Sequence, residues 1–134
     1  PIPEGGHCYV HMQFDPADLT EVKSSGIQII AHPECPPQIR AHADHIASTG
    51  KMAEIAKTGS SWYICTEVGM LDRLGELCPD QTFVGNENAL CADMKKTTLQ
   101  ELVVCLRDLT GQVQVPQEIM EGARKSLEYM LQVP

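Results

Sequence analysis

The sequence predicts an α/β fold: αβα layers built on a short parallel sheet, followed by a two-helix carboxy-terminal segment. Three observations predict it. Short β-branched or aromatic runs alternate with helical stretches of about ten residues. Helix-capping signals punctuate that alternation. Past Cys91 the pattern changes to two helices with no strand between them. Strands alternating with helices give right-handed β-α-β units, and so a parallel sheet covered on both faces.

In order, Asp15-Pro16-Ala17-Asp18 forms an N-cap, a Pro at the first helical position and an acidic first turn, with Gly26 closing the helix. Ile27-Gln28-Ile29-Ile30-Ala31 is a β-branched run ended by Pro33, as suits a buried strand. A helix follows from about Pro36 to Asp44, then a short strand-like piece, His45-Ile46-Ala47. Ser48-Thr49-Gly50 leads into a helix through Lys57, and Trp62 to Thr66 is another apolar strand. A helix from about Gly69 to Leu77 and a last strand at Thr82-Phe83-Val84 complete the alternation. Thr98 with Glu101 makes a capping box ahead of Leu99, Leu102, Val103 and Leu106. Pro116 opens a second helix with Ile119, Met120, Ala123, Leu127, Met130 and Leu131 on one stripe, and both apolar faces require a partner surface.

With 134 residues, 43% of them apolar, the chain is long enough to bury one core. Its opening, Pro1-Ile2-Pro3-Glu4-Gly5-Gly6, has no initiator Met, basic n-region or apolar h-region. It is expected to be a cut end of a longer chain and not a signal peptide. No apolar run reaches the about 20 residues that cross a bilayer, so a soluble protein with no membrane partner is expected. The net charge of −8 is spread along the chain, which argues against a nucleic-acid footprint. Any anionic ligand must be held by a local site.

Cysteines stand at positions 8, 35, 65, 78, 91 and 105. With no secretory signal, a reducing cytoplasm and mostly free thiols are expected in place of disulfides. Cys65 and Cys105 lie in apolar runs, where a cysteine behaves as a small buried hydrophobe, and Cys78 sits near a helix end before Pro79. Cys8 and Cys91 fall in predicted loops on either side of the α/β segment. No C-x-x-C occurs, so spacing supports neither a zinc knuckle nor a ferredoxin-type run and leaves both cysteines unexplained. His7, His11, His42 and His45 make no metal-ligand spacing with one another.

Ligands of open parallel sheets bind outside the carboxyl ends of the strands. That filter selects His32-Pro33-Glu34-Cys35-Pro36, Ser48-Thr49-Gly50 and Thr66-Glu67. Pro33 stiffens the turn between His32 and Glu34, holding an imidazole near a carboxylate as general acid-base work requires. On the residues alone, the plainer alternative has the better claim: His32 bonds a backbone group and Glu34 caps the next helix. Ser48 and Thr49 put hydroxyls and free amides where a phosphate or carboxylate binds, or serve as an ordinary N-cap.

Taken together and in order, five motifs resemble the quinolinate synthase family. They are Gly6-x-Cys8-x-Val10-His11, His32-Pro33-Glu34-Cys35-Pro36, Ala43-Asp44 followed by Ser48-Thr49, Thr66-Glu67-x-Gly69-Met70, and Cys91-x-x-Met94-Lys95 with Thr98-Leu99-x-x-Leu102. The resemblance runs from Gly6 to about Leu131. It implies a part of a three-domain, pseudo-symmetric αβα enzyme of NAD biosynthesis that condenses iminoaspartate with dihydroxyacetone phosphate to quinolinate. It also implies a 4Fe-4S cluster held by three cysteines, with Cys8 as the middle ligand, Cys91 as the last and one iron left open as a Lewis acid. By the same resemblance His32 and Glu34 take part in proton transfer, His32, Pro33 and Glu34 line the substrate site, and Ser48 and Thr49 bind substrate carboxylate or phosphate. The roles of His11 and Glu67 stay open.

The implied organisation is an inter-domain segment over 1–11, an αβα domain over 12–90, and a segment over 91–134 whose helices pack on an amino-terminal domain absent from this chain. The other partners it implies are the two substrates and L-aspartate oxidase as supplier of iminoaspartate. Two departures are Gly50, where many members have Ser, and Cys35, which is Ser in some relatives and not a cluster ligand. The largest departure is the absent half of the family's chain, with its first cluster cysteine; alone, this chain is expected to be inactive. A non-catalytic metal- or anion-binding α/β module is the alternative, and an unrelated doubly wound domain leaves the ordered motifs unexplained.

Overall fold

The Ala17 amide donates to the Asp15 carboxylate at 2.8 Å, and this cap starts α1, Pro16–Ser24, with Pro16 at its first position. Gly26 follows at φ +80, a left-handed turn that glycine adopts without Cβ strain, and turns the chain into β1, Gln28–Ala31. The structure is a computed structural model that describes residues 8–133; the opening Pro1–Gly6 and the Gly6-His7 start of the first motif lie outside them.

The remaining elements of the alternating part are α2 (Pro37–Arg40), β2 (His45–Ile46), α3 (Thr49–Ala56), β3 (Ser61–Cys65), α4 (Gly69–Leu77) and β4 (Thr82–Gly85). The helix expected from about Pro36 to Asp44 is a single turn. Its shortness has a local cause at Asp44, whose amide donates to Ile29 O at 2.9 Å while its carboxylate accepts from the Ile29 amide at 2.8 Å. These two bonds draw the chain back to the edge of β1 before another helical turn can form.

All strand pairs are parallel, in the order β2-β1-β3-β4. Side chains alternate across the sheet. Ile29, Ala31, Tyr63 and Cys65 join Leu19 of α1 and Ile39 of α2 in one buried cluster. Ile30, Trp62 and Ile64 join Met52 and Ala56 of α3 and Leu74 of α4 in the other. The sheet is buried on both faces, which is why its strands are continuous apolar runs and why the layers are αβα.

The chain divides into two compact units, Pro1–Ala92 and Asp93–Pro134. In the second, α5 (Leu99–Asp108) opens on the expected capping box: the Glu101 amide donates to Thr98 Oγ1 at 3.2 Å, and the Thr98 amide donates to Glu101 Oε2 at 2.8 Å. Helix α6 spans Gln117–Gln132, with Pro116 at its N-cap. Residues 93–133 are all exposed, Leu102, Val103, Leu106, Ile119, Leu127 and Leu131 among them. Cys105, expected to be a small buried hydrophobe, is therefore exposed. No layer of its own unit covers α5, and the thiol donates to Thr110 O at 3.1 Å. Among the described residues, no helix is long and apolar enough to cross a membrane.

Candidate active site at the carboxyl ends of the strands

Because the strands are parallel, the residues that follow Ala31, Ile46, Cys65 and Gly85 share one rim of the sheet. The chain passes from β1 outward to β2 and returns past β1 to β3, so the topological switch lies between the ends of β1 and β3. Loops separate at such a point and leave a crevice. His32 leaves β1 on one side of it and Thr66 leaves β3 on the other.

The His32 amide donates to Cys65 O at 3.2 Å, extending the sheet by one residue and fixing where the ring begins. After Pro33 the chain turns so that the Glu34 amide donates to His32 Nδ1 at 3.3 Å. An Nδ1 that accepts from an amide carries no proton, so the neutral ring holds its proton on Nε2. The Glu34 carboxylate lies 3.7 Å from the same Nδ1, a pairing that has force only when His32 is protonated.

His11, whose role the sequence leaves open, is the buried member of the group. The His11 amide donates to Cys8 O at 3.0 Å, and the short turn over His11–Gln13 inserts the ring beneath His32. The two imidazoles stack, with centroids 4.5 Å apart and planes 5° apart. His11 Nε2 meets Thr66 Oγ1 at 3.1 Å, and both residues are buried. His11 Nδ1 lies 3.3 Å from Glu34 Oε2, within ion-pair reach but outside hydrogen-bond geometry, so this buried nitrogen has no hydrogen-bond partner. Burial holds the His11 pKa below the usual histidine value; His32 adds to that, and Glu34 opposes it. His11 is thus a neutral ring at neutral pH.

Cys8 is half-buried, and its sulfur, one ring nitrogen of His11 and a Glu34 carboxylate oxygen lie within 4.8 Å of one another. The second loop cysteine reaches the same side of the core. Cys8 and Cys91 both pack against the cluster containing Val10, Cys35 and Ala89. The Tyr9 hydroxyl donates to Cys91 Sγ across 3.6 Å and accepts from the Ala92 amide at 2.7 Å. Glu67 steadies the same loop: its carboxylate accepts from the Gly69 amide at 2.7 Å and from the Cys91 amide at 3.4 Å. Two half-buried sulfurs on loops at one rim are a donor set suited to soft metal chemistry. Cys35 is not part of it. Burial pushes its thiol up to about 11, and the sulfur donates to Cys65 O at 3.3 Å; Cys65 is raised further by burial.

Ser48 and Thr49 stand one strand over, at the end of β2 and the start of α3. Both are exposed, and Ser48 occupies the N-cap without a side-chain capping bond, so its hydroxyl is not used by the helix. Pro33 is exposed in the turn between His32 and Glu34. A cleft of about 650 Å³ lies elsewhere, lined by Asp18, Glu21, Tyr63, Asn86 and Glu87 among others. It contains none of the residues singled out above, and its carboxylates disfavour an anionic ligand. Sequence reasoning placed Thr66 on this rim but gave it no role, left the role of His11 open, and missed Tyr9. The pairing of His11 with Thr66 had no signal in the spacing of the chain.

The family model described as NadA, Quinolinate synthetase A protein, matches residues 2–132. The quinolinate synthase of Pyrococcus furiosus is 43% identical over 99% of this chain and 45% of its own length. Those of Thermotoga maritima and Methanocaldococcus jannaschii are each 38% identical over 98% of this chain, and over 45% and 46% of their own lengths. The chain therefore spans less than half the length of the curated relatives it matches. With a match along almost all of it, the chain belongs to the quinolinate synthetase A protein family.

Proposed function

We propose that this chain is the carboxy-terminal part of a quinolinate synthase, which condenses iminoaspartate with dihydroxyacetone phosphate to quinolinate with loss of phosphate and water. The observation that carries this reading is the gathering of His11, His32 and Glu34 beside Cys8 at the switch point of the sheet. His32 offers an Nε2 proton at the crevice, and Glu34, half-exposed, is a carboxylate that accepts one. His11, held neutral by burial, stacks against His32 and fixes the plane of its ring. Ser48 and Thr49, with the first amides of α3, hold a substrate carboxylate or phosphate, and Pro33 keeps the His32-Glu34 turn in shape.

Cys8 and Cys91 would hold a 4Fe-4S cluster together with one thiolate from the rest of the enzyme. Their fit rests on the half-buried sulfurs and on Tyr9 and Glu67, which fix the Cys91 loop relative to Cys8. When bound, the cluster supplies an open Lewis-acidic iron for substrate oxygens. The exposed apolar stripes of α5 and α6 suit packing on the amino-terminal domain of the same enzyme. We place the protein in the cytoplasm, where its free thiols stay reduced. Iron counting after anaerobic reconstitution of the intact enzyme tests the ligand assignment. Cys8→Ala and Cys91→Ala lose the cluster while Cys65→Ala and Cys105→Ala keep it; a cluster lost with Cys105 and kept without Cys91 overturns it.

A further inference from the structure

His11 Nδ1 is a buried ring nitrogen with no hydrogen-bond partner, 3.3 Å from a carboxylate oxygen. Buried polar atoms in native proteins are almost always satisfied, so an orphan of this kind calls for an explanation. Neither neutral tautomer supplies one. With the proton on Nε2, shared with Thr66 Oγ1 at 3.1 Å, the Nδ1 lone pair faces the Glu34 carboxylate and is repelled by it. With the proton on Nδ1, a buried N–H is left outside hydrogen-bond geometry of that same carboxylate. A cation between the two satisfies both. A third donor stands beside them, since the sulfur of Cys8, a ring nitrogen of His11 and a carboxylate oxygen of Glu34 lie within 4.8 Å of one another.

From this we infer that Cys8, His11 and Glu34 form a mononuclear divalent-metal site, fitted to zinc, in which Thr66 holds the His11 ring from behind. One sulfur, one imidazole and one carboxylate are the donors zinc takes, and three protein ligands leave its fourth position open. Thr66 Oγ1 accepts the Nε2 proton and so directs the Nδ1 lone pair at the metal, the positioning role that neighbours of metal-bound histidines commonly have. Zinc bonds its ligands at about 2.0–2.3 Å, and the half-exposed Glu34 side chain is the one that rotates to close the separation. On binding, the Cys8 thiol gives its proton to solvent and the sulfur bonds the metal as a thiolate. Because Cys8 is also the residue we assign to the iron-sulphur cluster, the two occupants exclude each other, and the mononuclear site belongs to the cluster-free chain.

The test uses the reduced, metal-free 134-residue chain titrated anaerobically with Co²⁺, whose thiolate charge-transfer band reports the sulfur ligand; zinc then displaces the cobalt. One cobalt per chain is expected. Cys8→Ala abolishes the band, Glu34→Gln and His11→Gln weaken binding about tenfold or more, and Thr66→Val weakens it about tenfold while keeping the band. Cys91→Ala leaves band and affinity unchanged. Absence of a band in the parent chain, its survival in Cys8→Ala, its loss in Cys91→Ala, or unchanged affinity in Glu34→Gln each overturns the site. Glu34→Gln alters an exposed side chain, so its result does not depend on a core variant folding. The titration involves neither the cluster nor quinolinate, so its failure leaves the proposed activity standing, and the reverse also holds.

Discussion

The phenol of Tyr9 donates to the sulfur of Cys91 across 3.6 Å, and its oxygen accepts from the Ala92 amide at 2.7 Å. The residue after the first loop cysteine is thus tied to the second, although the two lie far apart in sequence. Tyr9→Phe keeps the ring and removes both bonds. Since the tyrosine is exposed, global stability is expected to fall by no more than about 1 kcal/mol. Amide hydrogen exchange at Cys91-Ala92 speeds up while the β1 and β3 amides keep their protection. Unchanged exchange at Ala92 would show that the tyrosine does not hold the loop.

Neutral His11 carries a pH signature. Its folded pKa lies below the ordinary histidine value because burial and His32 disfavour the charged ring. The unfolded chain therefore binds this proton more readily than the folded one, and the stability tied to the neutral ring is present above the unfolded value, about 6.5. It is lost as pH falls from there through the folded pKa. Denaturant midpoints of the metal-free chain should drop over that interval, and His11→Gln should flatten the drop. A midpoint equally pH-dependent in both proteins would contradict the assignment.

Thiol reactivity should separate the cysteines. Cys35 and Cys65 are buried and held protonated, the first with its pKa raised to about 11, so both should resist iodoacetamide at neutral pH. Exposed Cys105 should be alkylated first, with half-buried Cys8 and Cys91 between the extremes. Peptide mass spectrometry over a time course reads the order, and early labelling of Cys35 would refute the packing described for it.

Much of this was legible in the sequence because it is local. The Asp15 cap, the Thr98-Glu101 box and the apolar runs that became β1 and β3 depend on near neighbours. What was not legible depends on contacts across the chain. The single-turn α2 follows from a side-chain bond between Asp44 and Ile29, and the exposure of Cys105 follows from the absence of a layer over α5 within its unit. The rim carrying His32, Glu34, Ser48 and Thr49 followed from strand direction. That His11 sits under His32 and against Thr66 did not, because no spacing rule links positions 11, 32 and 66.

Gly59 offers a test of the core around Trp62. A Cβ at position 59 would collide with the Trp62 ring, and that ring is buried with its Nε1–H donating to Ala56 O at 3.1 Å. The ring has no room to retreat, so Gly59→Ala should cost about 1–3 kcal/mol, as overpacking does. Urea denaturation gives the number, and a neutral substitution would mean that the turn before β3 yields in place of the tryptophan.

The central claim is that this chain carries part of a quinolinate synthase site that the rest of such an enzyme completes. The direct measurement is quinolinate formation from iminoaspartate and dihydroxyacetone phosphate after anaerobic cluster reconstitution. It is made with this chain alone and again with the amino-terminal half of a related quinolinate synthase added. On the proposed reading, Cys8 and Cys91 alone would leave a three-thiolate cluster one ligand short, and positioning both substrates would need groups from the other half. No quinolinate from the chain alone, and turnover once the other half is supplied, is the predicted result. Robust turnover by the chain alone, or none from the pair after the cluster has assembled, would contradict the account.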